Sequence, residues 1–236
     1  MVFLVSEIGV NWNGDLSILN KMVSLSKESG CSAVKFQSFN EEVVINHPEK
    51  NLLLKCSVSK ENIDDIDKIC KKNRIEWFCT PMYADAVDLL DPYIDKFKVR
   101  ESDGGKLLIK EETPLIKKIL NSNKELIISS EKSPMNSEFY KDSRINWLYC
   151  IPKYPTKLNE INFVQLKDFK GFSNHCPDIR APIIASMLGA EIIEIHVTLD
   201  KFDKYFDNNV SFSFSEVKKI RKLIDTIQNN LNGNGL

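Results

Sequence analysis

Eight short apolar runs, rich in β-branched and aromatic residues and separated by longer amphipathic stretches, leave this chain few folds to choose from. They span residues 2–8, 33–38, 76–82, 96–101, 125–130, 147–151, 171–175 and 191–199. Near-continuous apolar strands of this kind are covered on both faces, as in parallel sheets built from βα units. Eight is the strand number of a (β/α)8 TIM barrel, an α/β fold. Helical spacing fills the gaps. It is clearest over 16–29, where Leu16, Leu19, Met22 and Val23 repeat at three to four residues and Gly30 follows the last turn. Thr113-Pro114 opens a second such helix, and 59–72 and 213–231 repeat the pattern, whereas 131–143 carries it most weakly. Residues 39–58 form an insertion after the second strand, on the side of a barrel where lids and interfaces arise. The Asn- and Gly-rich stretch 229–236 is expected to fray. With no compositional break, 1–236 reads as one domain.

The 32 basic and 33 acidic residues nearly cancel and are interspersed, so no global field points to nucleic acid and any anion site must be built locally. The apolar start at 2–5 is too short for a signal core, and no run approaches the ~20 residues of a membrane span. Six cysteines without a Cys-x-x-Cys pair suit reduced thiols in a cytoplasmic protein.

Barrel chemistry gathers at the C-terminal ends of the strands, and the unusual polar residues fall there. Glu7 ends the first run; Lys35 and Gln37 lie on the second and Thr80 on the third. Lys98, Arg100, Glu101 and Asp103 are assigned to the fourth, Ser129 and Ser130 to the fifth. Tyr154 follows the sixth, Ser173 and His175 belong to the seventh, and Glu194 and His196 to the eighth. An unpaired ammonium buried in an apolar strand is costly, so Lys35, between Val34 and Phe36, and Lys98, between Phe97 and Val99, each need an anion. A bound ligand would serve, and so would internal pairs of Lys35 with Glu7 or Lys98 with Glu101. Repetition over several units favours a ligand site. His175 and His196 stand at the ends of consecutive strands, and neutral imidazoles are common ligands of borderline divalent metals. Satisfied rim histidines would give the same pattern.

The segment Glu7-Ile8-Gly9-Val10-Asn11-Trp12-Asn13-Gly14-Asp15, followed by a helix and Ala33-Val34-Lys35-Phe36-Gln37, resembles the opening of N-acetylneuraminate (sialic acid) synthases and their legionaminate and pseudaminate relatives. The similarity continues through Cys79-Thr80-Pro81, Phe97-Lys98-Val99, Tyr154-Pro155-Thr156, Phe172-Ser173-Asn174-His175 and Ile195-His196-Val197-Thr198-Leu199-Asp200-Lys201. This resemblance implies a metal-assisted condensation of phosphoenolpyruvate with the open-chain aldehyde of an N-acyl amino sugar, giving a nonulosonic 2-keto acid. By position, His175 and His196 would hold the divalent metal, manganese before magnesium. Lys35, Thr80, Lys98, Ser130 and Ser173 would hold phosphoenolpyruvate. Glu7 and Asp103 would orient the sugar and handle protons, and Gln37, Tyr154 and Asp207 would contact the sugar.

The chain also departs from the family pattern. Trp12 stands where the family has a histidine, Arg100-Glu101-Ser102 replaces a Gly-Ser-Gly, Pro152 replaces an asparagine and Glu131 a glycine. Each change is expected to touch the site, and a carboxylate at Glu101 would repel phosphate unless Arg100 offsets it or Ser102 takes its place. The family's C-terminal antifreeze-like domain, which reaches over the partner's barrel, has no counterpart in these 236 residues. The resemblance therefore implies a homodimer or a separate chain that completes the sugar site. Two other readings stay open: condensation with a different aldehyde acceptor, and a degenerate barrel that binds a sugar or a partner without catalysis.

Overall fold

In a computed structural model that describes residues 1–202 and 204–231, the eight apolar runs become eight parallel strands. These are β1 (Phe3–Glu7), β2 (Ala33–Ser38), β3 (Glu76–Pro81), β4 (Lys96–Val99), β5 (Glu125–Ser130), β6 (Ile145–Cys150), β7 (Gly171–Asn174) and β8 (Ile192–Thr198). They lie side by side in chain order, and β8 pairs with β1 to close the barrel. A two-residue strand β9 (Phe212–Ser213) adds to the end of β8. The helices are α1 (Leu16–Glu28), α2 (Glu41–Val44), α3 (Lys50–Lys55), α4 (Ile63–Lys72), α5 (Ala84–Leu90), α6 (Glu101–Leu108), α7 (Pro114–Asn121), α8 (Arg180–Met187) and α9 (Phe214–Leu231). Outside the barrel α1 packs on α4, α5 on α7, and α8 on α9.

Alternation along each strand sorts the residues into two sets. Leu4, Val34, Phe36, Phe97, Leu126, Ile128, Phe172 and Ile193 face outward into the large core beneath the helices. Val5, Ala33, Phe78, Ile127, Leu148 and Ile192 form a separate buried cluster inside the barrel. That cluster is an apolar plug. Two residues further along the same strands, still facing inward, come Glu7, Lys35, Thr80, Ser129, Cys150 and Glu194, so period-2 geometry alone lifts a ring of polar groups above the plug.

Several expected boundaries move. β4 ends at Val99, so Glu101 and Asp103 lie in the first turn of α6 and not on a strand; carboxylates there are favoured by the positive end of the helix. β6 begins at Ile145, because the polar Asn146 is satisfied by donating to Glu125 Oε1 at 2.8 Å. The weak segment 131–143 has only a 3-10 turn at Glu138–Lys141, and two further 3-10 turns, Leu158–Glu160 and Phe163–Asp168, stand where a helix would follow β6. Residues 229–231 continue α9 instead of fraying, while 232–236 lie outside the described residues.

The insertion 39–58 folds into α2 and α3 and is bound back at its base. Ser38 Oγ donates to Val58 O at 2.7 Å, and Cys56 Sγ donates to Val10 O at 3.3 Å. Phe39 N donates to Ser57 Oγ at 2.7 Å. It forms one wall of the cavity at the C-terminal mouth of the barrel.

Candidate active site

That cavity, about 610 Å³, is lined by Glu7, Lys35, Gln37, Thr80, Lys98, Tyr154, Ser173, His175, His196 and Asp207, all expected from the sequence. Ser130 and Asp103 are not among its lining residues. The Ser130 hydroxyl points out of the barrel and donates to Lys132 O at 2.9 Å, whereas its neighbour Ser129 faces in and accepts from Lys98 Nζ at 2.7 Å. A one-residue step on a strand exchanges the two faces, and this is why the sequence could not separate the two serines. Asp103 Oδ2 instead accepts from Arg100 Nε at 2.6 Å. Arg100 is thereby tied to Asp103 and not to Glu101, and Arg100, Glu101, Ser102 and Pro152 all line the cavity. Trp12 does not: it is buried in the outer core.

At the floor two ammonium groups and two carboxylates share one buried network. Lys35 Nζ lies 3.1 Å from Glu7 Oε2, 3.6 Å from Glu194 Oε1 and 3.2 Å from Thr80 Oγ1. Lys98 Nζ lies 3.8 Å from the same Glu194 oxygen. Ser173 Oγ donates to Glu194 Oε1 at 2.9 Å. The need of Lys35 for an internal anion is thus met by Glu7, but that of Lys98 is met by Glu194 and not by Glu101. Sequence reading gave Glu194 no role, although its inward place two residues before His196 was visible.

The network polarises its members differently. Burial pushes the Glu194 carboxyl upward, but Lys35 and Lys98 outweigh it and hold the group down at about 2. Glu7, with one lysine and with Glu194 as a like-charged neighbour, is left raised by its burial. Burial lowers Lys98, whereas in Lys35 the pull of Glu194 and Glu7 overcomes burial and raises it. Gln37 Nε2 donates to Glu7 Oε1 at 2.5 Å. Gly9 turns the chain over this pair at φ +51°, where a Cβ would stand 3.0 Å from Glu7 Oε1, so glycine permits the close approach.

The two imidazoles lie with ring centroids 5.4 Å apart. His175 Nδ1 is 2.8 Å from Ile151 O, and burial, then His196, pushes this ring down to about 3, so it is neutral. His196 Nδ1 lies 3.3 Å from Asp207 Oδ2; that carboxylate outweighs burial and raises the ring. The contact lacks the alignment of a full hydrogen bond. Asp207 is placed by Asn11, whose Oδ1 accepts from Asp207 N at 2.9 Å while its Nδ2 donates to Val197 O at 2.8 Å. Asn11, within the Glu7–Asp15 motif, thus positions Asp207 from the far end of the chain, a task that its local sequence does not reveal. Tyr154 covers His175, ring centroids 3.9 Å apart.

With each Nδ1 turned to a chain oxygen, Nε2 of both rings is the nitrogen free for a metal, and a carboxylate behind a ligating histidine is the usual outer partner. Among the described residues no group of three or more His, Cys, Asp or Glu side chains is arranged for a metal. The chain itself thus offers two imidazole donors at this place, the chemistry of borderline divalent ions, and no further donor of its own among those residues.

The NeuB family matches residues 22–235. The chain is 30% identical over 236 residues to an uncharacterized protein of Methanocaldococcus jannaschii, covering 92% of this chain and 68% of that one. It is 29% identical over 259 residues to the N,N'-diacetyllegionaminic acid synthase of Campylobacter jejuni, covering 95% and 76%. The N-acetylneuraminic acid (sialic acid) synthetase of Leptospira borgpetersenii, crystallised with citrate, superposes with a TM-score of 0.84 at 25% identity, over 98% of this chain and 85% of that one. A DAHP synthase of Thermotoga maritima shares the fold at a TM-score of 0.70 and 13% identity. No described helix is long and apolar enough to cross a membrane. With sequence similarity to sialic and legionaminic acid synthases over nearly its whole length, on a closed eight-stranded barrel, the chain belongs to the NeuB family.

Proposed function

We propose that the protein is a carbon–carbon bond-forming synthase that condenses phosphoenolpyruvate with an N-acyl amino-sugar aldehyde to a nonulosonic acid. The observation that carries this reading is the pair of buried ammonium groups, Lys35 and Lys98, opening into a cavity whose opposite rim holds the two imidazoles. Two buried cations of this kind match a substrate that brings both a phosphate and a carboxylate, and hydroxyls from Thr80, Ser129 and Ser173 add donors without adding charge. In the reaction the enol carbon of phosphoenolpyruvate bonds to the aldehyde carbon, whose oxygen takes up a proton. Water adds to the cation left at C2, and phosphate departs as the C2–O bond to it breaks. Glu7, raised by burial, is the chain's proton holder at the site, and Gln37 fixes its orientation. Glu194 keeps both lysines charged and in place before substrate arrives. Tyr154, Gln37 and Asp207 border the space for the sugar. A divalent metal, manganese as the first candidate, would be held by His175 and His196 and would polarise the aldehyde oxygen as a Lewis acid.

The test is a calorimetric titration of phosphoenolpyruvate with and without Mn²⁺, on the parent protein, Lys98→Met and His175→Ala. Saturable binding that Lys98→Met weakens by about a hundredfold, the scale of a lost buried charge partner, supports the condensation. Absence of binding under every metal condition overturns it and leaves the non-catalytic barrel, which Glu101 and Pro152 on the cavity wall would then explain.

A further inference from the structure

On the flank of the barrel, α8 reverses the usual arrangement of a surface helix. The residues it buries, Ala181, Pro182, Ala185 and Ser186, are small and let it lie close to β7, β8 and α9. Its large apolar side chains stand on the other side. Ile183 and Ile184 are half-buried, and Met187 and Leu188 are 58% and 53% exposed. Together with Arg180 they fall at i, i+3, i+4, i+7 and i+8, which is one face of a helix. The elements packed on either side of α8 extend that face: Val164, in the 3-10 turn Phe163–Asp168, is exposed, and so is Leu223 on α9. A single exposed leucine is ordinary, but a patch that runs across three elements marks a surface that something covers.

The free charges around the patch have one sign. Lys167 stands one 3-10 turn after Val164, and Lys219 and Lys222 lie beside Leu223; none of the three has an ion pair among the described residues. The carboxylates of the same region are already engaged: Asp178 pairs with Arg180, Glu216 with Lys201 and Asp225 with Arg221, while Asp168 is buried. A second copy docked about a two-fold axis through the patch would bring like-charged lysines together. An anionic lipid surface answers both features. Aliphatic side chains enter the boundary between headgroups and acyl chains, and lysines on their apolar stems reach the headgroup charge. Because the face lies on the flank, such docking leaves the mouth of the barrel open.

We propose that the α8 face centred on Met187 and Leu188, with Lys219 and Lys222 beside it, docks reversibly on an anionic membrane surface. Flotation with vesicles tests this, using phosphatidylcholine alone and phosphatidylcholine mixed with phosphatidylglycerol. It is run on the parent protein, on Met187→Ser/Leu188→Ser and on Lys219→Gln/Lys222→Gln. All four side chains are exposed, so both variants keep the fold, and an unchanged Tm checks this. The parent is expected to partition onto the mixed vesicles and at least about tenfold less onto phosphatidylcholine alone. The glutamine variant is expected to lose about twentyfold in partition, at about fivefold for each lysine near an anionic surface. The serine variant is expected to lose about tenfold or more. No partition of the parent onto either vesicle, or partition that either variant retains in full, overturns the proposal. So does a parent dimer, seen by light scattering, that the serine variant converts to a monomer, because the face then belongs to a second copy.

Discussion

Glu7 and Glu194 stand on strands that flank one another and share Lys35, yet their environments drive them apart. Glu194 collects two ammonium groups and the Ser173 hydroxyl, so its carboxyl lies below the ordinary value of 4.5, at about 2. A carboxyl lowered by folding adds stability that is present above the unfolded value and is lost as the pH falls from about 4.5 toward 2. Glu7 has the opposite sign: raised by burial, it lets stability decline as the pH climbs above 4.5. Two substitutions on adjacent strands should therefore move stability in opposite directions at neutral pH. Glu194→Gln, which strands the buried Lys98 and leaves Lys35 with Glu7 alone, is expected to cost about 3–5 kcal/mol. Glu7→Gln, which removes an unfavourable ionisation, is expected to stabilise the fold while impairing proton handling. Urea titrations at pH 7 decide it, and a loss of stability in both variants would refute the assignment of opposite roles. Little of this was legible beforehand. The inward positions of Lys35 and Lys98 could be read from their apolar neighbours, but which carboxylate answers each lysine depends on strand register, and Ser129 and Ser130 differ only in a parity that the run Glu125–Ser130 does not reveal.

At the scale of elements, α6 shows how a helix can hold a site from outside the barrel. Its Gly104 lies against β5 so closely that a Cβ would collide with the Ser129 carbonyl and approach Ile128 Cγ2 to 2.9 Å. Ser129 is the residue whose hydroxyl accepts from Lys98. Gly105, one position on, faces open space, its nearest neighbour being Glu101 Oε1 at 3.8 Å. The pair makes an internal control. Gly104→Ala should push α6 away from β5, cost about 1–3 kcal/mol as overpacking does, and weaken phosphoenolpyruvate binding through Ser129. Gly105→Ala should gain up to about 1 kcal/mol from helix propensity and leave binding alone. Thermal unfolding and calorimetry on the two variants test this, and equal behaviour would show that α6 does not set the position of Ser129. The expected fourth run, 96–101, overshoots β4 by two residues: the strand ends at Val99 and Glu101 opens α6, whose close packing on β5 at Gly104 is a tertiary contact that local sequence does not reveal.

For the molecule as a whole, the barrel itself was the most legible feature, because eight apolar strands must be covered on both faces and closure alone removes every edge. Less legible was how the insertion after β2 comes to wall one side of the mouth, since that depends on its meeting the loop after β8 across β1. The arrangement places the proposed binding groups on strands distributed around the barrel: Lys35 on β2, Lys98 on β4, Ser173 on β7 and His196 on β8. A ligand that engages all of them binds only the closed barrel and not the unfolded chain, so it must stabilise the fold by mass action. Phosphoenolpyruvate at about one hundred times its Kd contributes about 2.7 kcal/mol, which for a domain of this size raises Tm by about 5–10 °C. The shift is expected for the parent protein with Mn²⁺ and is expected to vanish in Lys98→Met. If phosphoenolpyruvate raised Tm equally in the parent and in Lys98→Met, the anion would be binding away from the floor of the barrel, and the lysines there would be a structural network held together by Glu7 and Glu194 alone.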